Sequence, residues 1–203
     1  MTTEIRLSDM EKDALTEMAN IGAGNSTKPL SNILDSKIRL SLGSIDIVSL
    51  ENNEKKTQAS GESAVGLHTP ILGAMSGHVV IMFAADNVEA LSNLLRGKAQ
   101  KAGSSMSDKE FLIEIGSILA NSYTYALNQF LTLDIKCGKT NLIATSGESV
   151  IDIIYPELRK VVSAALLITT NFQIEKSNLQ GNFALLLAIP SMESLLGKIR
   201  SMS

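Results

Sequence analysis

The stretch Asp13-Ala14-Leu15-Thr16-Glu17-Met18-Ala19-Asn20-Ile21-Gly22-Ala23-Gly24-Asn25 governs how the rest of the chain is read. On a helix of about 100° per residue, Asp13, Glu17, Asn20 and Gly24 share a strip roughly 60° wide. Leu15, Met18, Ala19 and Gly22 lie on the opposite side. A helix that buries that side shows solvent a carboxylate and a carboxamide three residues apart, adjacent on the surface. Gly24 just beyond them leaves the surface low and open to another molecule. Upstream, Ser8-Asp9-Met10-Glu11 has the spacing of a capping box, so the helix starts there and runs toward Leu34. Pro29 interrupts it, because proline cannot donate to the Asn25 carbonyl and crowds that turn. A kink or break is expected there.

Further along, Ile38 to Leu42 alternates, and Ile45 to Ile47 alternates again, as half-buried strands do. Residues 51–62 are polar and aperiodic, hence a loop. A strand from about Ser63 to Thr69 follows, with Pro70 near its end, and then another from Gly77 to Phe83. Asp86 or Asn87 caps a short helix reaching Arg96. The small, flexible run from Gly97 to Met106 reads as a linker.

After that linker the pattern starts again, with Ser107-Asp108-Lys109-Glu110 as a second capping box. A shift of 97 positions carries Asp13 onto Glu110, Leu15 onto Leu112, Glu17 onto Glu114, Ile21 onto Ile118 and Ile38 onto Ile135. Toward the ends the shift is 104, carrying Gly77 onto Gly181, Glu89 onto Glu193 and Leu91 onto Leu195. The ordered matches, with one insertion of about seven residues, predict an internal duplication. The halves are about 8–96 and 107–200, joined by the linker 97–106, within a single domain. Without regular strand–helix alternation the class is α+β, with two pseudo-two-fold-related long helices packed on a mainly antiparallel sheet.

Composition narrows the function. A net charge of -3 with scattered Lys and Arg marks neither a nucleic-acid binder nor an anionic-membrane binder. The single cysteine, Cys137, excludes an intramolecular disulfide and reads as a small buried apolar residue. The start of the chain lacks the basic and apolar regions of a signal peptide, and the longest apolar runs are too short to span a bilayer. A cytoplasmic protein is expected. His68 and His78 sit in strand-like contexts with no acidic or Cys neighbour at ligand spacing, so no metal is expected. Gly22 and Gly24 follow a helical pattern, and no nucleophile elbow, Cys/His pairing or cofactor fingerprint is visible. An enzyme built this way draws most of its reactive machinery from its substrate. Glu17 suits pairing with a lysine on a partner protein. Asn20 can both donate and accept, and so can hold a water in line with a scissile bond.

Glu17-Met-Ala-Asn20-Ile-Gly-Ala-Gly-Asn25 resembles the hallmark helix of the CheC/CheX/FliY phosphatases of bacterial and archaeal chemotaxis. That pattern is an acidic or Ser residue, three residues, Glu, two residues and Asn, and Asp13, Glu17 and Asn20 satisfy it. Glu114-Ile-Gly-Ser117-Ile-Leu-Ala-Asn-Ser-Tyr123 is similar to the family's second such helix, and the duplication is also a family feature. Among the members the chain most resembles CheC, since CheX-like members are shorter and FliY-like members carry an added switch domain. The resemblance implies hydrolysis of the aspartyl phosphate of the response regulator CheY. Glu17 then docks on a lysine of the regulator, Asn20 positions the attacking water and Asp13 supports them. The Mg²⁺ belongs to the regulator, so the chain has no cofactor of its own. The receptor deamidase CheD is implied as a second partner.

Two positions depart from the pattern. Ser117 stands where a second Asn belongs, so the site of Glu110, Glu114 and Ser117 is expected to be weak or silent. Gly43 stands where the family carries a proline. A non-catalytic adaptor that binds phosphorylated CheY or CheD is the alternative reading. A structural piece of a flagellar or archaellar switch is a third.

Overall fold

Ser8 and Ser107 begin the two long helices in the same way. The computed structural model describes residues 7–49, 63–84, 87, 90, 93, 107–144, 164–175 and 179–201. In it α1 is Asp9–Leu34 and α2 is Asp108–Leu131. Each serine hydroxyl accepts from the backbone N–H of the glutamate three residues on, Glu11 or Glu110. Each glutamate in turn accepts from the serine backbone N–H at 2.8 Å. Two otherwise orphaned donors are satisfied at each start. The ends match as well: Asp35 and Thr132 are left-handed, with φ of 46° and 51°. Three residues later the buried Ile38 and Ile135 each open a strand.

Pro29 does not break α1, which is continuous through it. Both Pro29 and Asn25 are exposed, so the ring meets solvent and the Asn25 carbonyl, deprived of its donor, can bond to water. Just ahead, the hydroxyls of Ser26 and Thr27 donate back to the carbonyls of Gly22 and Ala23 at 2.8 and 2.9 Å.

The strands are β1 (Ile38–Ser49), β2 (Ser63–Gly73), β3 (Gly77–Ala84), β4 (Ile135–Cys137), β5 (Asn141–Ala144), β6 (Ala164–Ile174) and β7 (Leu179–Ala188). They form one sheet in the order β1-β6-β7-β3-β2-β4, with β5 also on β2, and all these pairings are antiparallel. Helix α3 (Ile189–Ser201) follows β7. The class is therefore α+β, as the pattern predicts.

The two alternating runs after α1 join into one strand. The β1–β6 register slips between Leu42 and Ile45, and this bulge keeps both residues on one face. Gly43 lies in the bulge, where a Cβ would come within 2.5 Å of Thr169 Oγ1. That oxygen accepts from the Ser44 N–H at 2.7 Å, so Thr169 fills the space a side chain would need. Strand β2 runs through Pro70 to Gly73, further than Thr69. The Pro70 carbonyl accepts from Gly138 N–H at 2.8 Å, so its missing N–H faces the gap between β4 and β5. Proline is tolerated there because no ladder bond is lost.

The helices pack on one sheet face. Leu15, Met18 and Leu30 of α1 join Leu119 and Leu127 of α2, and Leu67, Ile81, Phe183 and Leu185 of the sheet, in one buried cluster. Met192, Leu195 and Ile199 bring α3 into it. The long helices approach closely at Gly22, where a Cβ would lie 2.9 Å from Tyr123 Cδ1. The Tyr123 ring sits 4.1 Å from that of Phe183 and its hydroxyl is 2.9 Å from Thr170 Oγ1. Burial pushes its phenol pKa up to about 12. One side chain thus ties α1, α2 and the sheet together.

The strand order reads the same from either end when β1 exchanges with β4, β2 with β6 and β3 with β7. Val80 pairs with Ala184, its own counterpart at an offset of 104. The pairs Ile38↔Ile174 and Ile135↔Gly73 correspond at offsets of 97 and 101, so the extra residues enter in two steps. The described sheet is thus symmetric about the β3–β7 pair. The expected loop 51–62 and linker 97–106 lie outside the described residues. So does the helix to Arg96, apart from Asn87, Ala90 and Asn93. No helix among the described residues is long and apolar enough to cross a membrane.

Candidate functional site

Helix α1 buries Leu15, Met18, Ala19, Gly22 and Ala23, and this turns Asp13, Glu17 and Asn20 out to solvent. Among the described residues no hydrogen bond or ion pair engages those three side chains. A Cβ on Gly24 would meet nothing within 4 Å, so the surface beside Asn20 is open. Ile21 is 40% exposed next to Asn20. It supplies an apolar contact at the edge of the polar strip, which the periodicity of α1 alone does not single out.

The start of this helix is locked. Glu11, only 2% exposed, forms an ion pair with Arg200 of α3 at 2.6 Å. Burial works to raise the Glu11 pKa, but the bonds from Ser8 and the contact with Arg200 outweigh it and hold the carboxyl below its ordinary range. The helix that carries the site is thereby fixed to the last element of the chain.

Helix α2 is different in detail. Glu114 is exposed, like Glu17. Glu110 aligns with Asp13 in sequence, yet its carboxylate is taken up by the cap. Hydrogen bonds from the Ser107 backbone and hydroxyl lower its pKa. In the fold it occupies the place of Glu11, because α2 starts two residues later relative to its end. Ser117 is half-buried, its hydroxyl 2.8 Å from the Ile113 carbonyl and 3.0 Å from Thr140 Oγ1. Thr140 in turn contacts Thr69 at 2.8 Å. The hydroxyl therefore faces the sheet and not the solvent beside Glu114.

Two residues on α2 escaped the sequence reading. Asn121 is exposed and donates its amide to the Ser117 carbonyl at 2.7 Å, and Tyr125 is 56% exposed. Their spacing of four from Ser117 and from each other is the signal that puts them on one stripe.

Elsewhere, Cys137 is half-buried with Thr124 Oγ1 at 3.0 Å, and burial raises its thiol pKa. His68 and His78, treated separately in the sequence, come into contact across β2 and β3. Among the described residues no group of three or more His, Cys, Asp or Glu side chains is arranged to hold a metal.

No family model matches the sequence. The structure is similar to that of FliY from Thermotoga maritima, with a TM-score of 0.69 at 13% identity over 98% of this chain and 100% of that one. It is similar to the chemotaxis protein CheX from Desulfovibrio desulfuricans, with a TM-score of 0.56 at 14% identity over 84% and 99% of the two chains. It is also similar to the FliM middle domain from H. pylori, with a TM-score of 0.58 at 12% identity over 95% and 99%. The chain thus has the fold of the CheC/CheX/FliY family, which the FliM middle domain shares.

Proposed function

We propose that the protein is a CheC-type phosphatase that hydrolyses the aspartyl phosphate of the response regulator CheY. The observation that carries this reading is the α1 strip: Glu17 and Asn20, three residues apart, are exposed and unengaged beside the open surface at Gly24. Glu17 pairs with a lysine near the regulator's phosphorylated aspartate and fixes the orientation. The Asn20 carboxamide holds the attacking water in line with phosphorus, donating and accepting without becoming charged. Asp13, one turn before Glu17, supports this face. The Mg²⁺ that stabilises the phosphoryl oxygens is part of the substrate's acidic pocket. The contribution of the chain is orientation, which lowers a barrier by removing the entropy cost of aligning water and phosphorus.

The second helix is weak in this reading. The Ser117 hydroxyl is bonded toward Thr140 and Glu110 is committed to its cap, leaving Glu114 to dock a regulator without a water-positioning group. CheD is the other proposed partner, and the reaction is cytoplasmic. A likeness at 12–14% identity carries the fold, and the fold alone does not argue for catalysis. The Glu17–Asn20 pair does.

The test is the decay of aspartyl phosphate on purified CheY with wild type, Asn20→Ala and Ser117→Ala side by side. Wild type and Ser117→Ala should accelerate the decay, and Asn20→Ala should lose about 10²-fold or more of the acceleration. If wild type binds phosphorylated CheY and leaves the phosphate lifetime unchanged, the protein is an adaptor.

A further inference from the structure

His68 and His78 have no part in that chemistry, and the fold brings them together. They lie on adjacent strands of the β2–β3 hairpin, where His68 pairs with Val80 and His78 with Pro70. The two imidazoles are therefore diagonal neighbours on the sheet face away from α1 and α2. Their rings stack with centroids 4.7 Å apart at 26°. His68 Nε2 lies 2.5 Å from His78 Nδ1, shorter than a normal hydrogen bond.

We propose that His68 Nε2 and His78 Nδ1 form a two-histidine site for a divalent transition ion of the zinc–nickel–copper class. Two neutral imidazoles suit these borderline ions, whereas Mg²⁺ and Ca²⁺ favour carboxylates and water. Metal–nitrogen bonds of about 2.0–2.1 Å at square or tetrahedral angles need the two nitrogens about 2.8–3.4 Å apart. Opening the observed pair by under about 1 Å, through side-chain rotation alone, meets that need. Both donor strands are held in one sheet, so little backbone order is lost on binding. Two protein donors leave the remaining coordination positions to water, which makes the site an open one. The competing state is a pair that merely shares one proton between its facing nitrogens.

The chain contains 2 histidines, so its imidazole C–H proton spectrum reports on this pair alone. Full-length protein purified without a histidine tag and stripped with chelator is titrated with Zn²⁺, and separately with Mg²⁺. Both histidine signals should move together to an end-point at one equivalent of Zn²⁺, with no response to Mg²⁺. In calorimetry His68→Asn and His78→Asn should each weaken Zn²⁺ binding about tenfold or more. The proposal is overturned if neither signal moves at stoichiometric Zn²⁺, or only one, or if the histidine variants bind as tightly as wild type. The wild-type spectrum decides the question even where a variant does not fold.

Discussion

Gly22 and Gly24 lie two residues apart on one helix and face opposite worlds. At Gly22 a Cβ would press on the Tyr123 ring at 2.9 Å, and Tyr123 is itself pinned by Phe183 and Thr170. At Gly24 a Cβ would meet nothing. Replacing a helical glycine by alanine gains up to about 1 kcal/mol in propensity, and overpacking a tight contact costs about 1–3 kcal/mol. Gly24→Ala should therefore raise the thermal midpoint and Gly22→Ala should lower it. Denaturation of the two variants beside wild type checks the opposite signs. A bulkier Gly24→Leu should leave the fold at least as stable as wild type and slow the proposed phosphatase reaction, because it raises the surface where, on that proposal, a regulator sits. A Gly24→Leu protein with unchanged turnover would place docking elsewhere. The helical period already puts Gly22 on the buried side and Gly24 on the exposed one. That the buried neighbour is an aromatic ring from a helix about a hundred residues away is not contained in the period.

The long helices share their capping chemistry and differ in what surrounds it. The Glu110 carboxylate is exposed, whereas that of Glu11 is buried against Arg200 of α3. The folded-state pKa of Glu11 is lowered, so the stability it contributes is fully present above the ordinary carboxylate pKa and is lost as pH falls through the folded value. Glu11→Gln should thus be less stable than wild type at neutral pH, and the gap should close in the acid range below about pH 4. Thermal midpoints measured from pH 7 down to pH 3 test this, and a gap that stays constant with pH would assign Glu11 a purely steric role. Both capping boxes are legible in Ser8-x-x-Glu11 and Ser107-x-x-Glu110, since a cap is a contact within four residues. The ion pair to Arg200 is not, because it depends on where α3 comes to rest. Pro29 and Pro70 teach the same point: each is a local breaker that the chain tolerates, one on a solvent face and the other opposite a gap between strands.

Across the whole molecule the sheet is organised about β3 and β7, which pair through Val80 and Ala184 and have strands on both sides. Their amides should exchange with deuterium most slowly, while those of the short β4 and β5, outermost on β2, should exchange fastest within the sheet. Hydrogen-exchange mass spectrometry resolves these segments, and faster exchange in β3 than in β5 would contradict this account. The α+β class, the two-helix plan and the exposed Asp13–Glu17–Asn20 strip follow from the sequence by itself. They depend on periodicity and on contacts a few residues apart, which any helix with that pattern must make. Tertiary structure alone decided the pairing of His68 with His78 and the contact of Ser117 with Thr140. Thr140 comes beside Ser117, and two histidines become a pair, only when the strands align in one register against α2. Such meetings are set by how the sheet closes against its helices, and no local pattern in the chain records them.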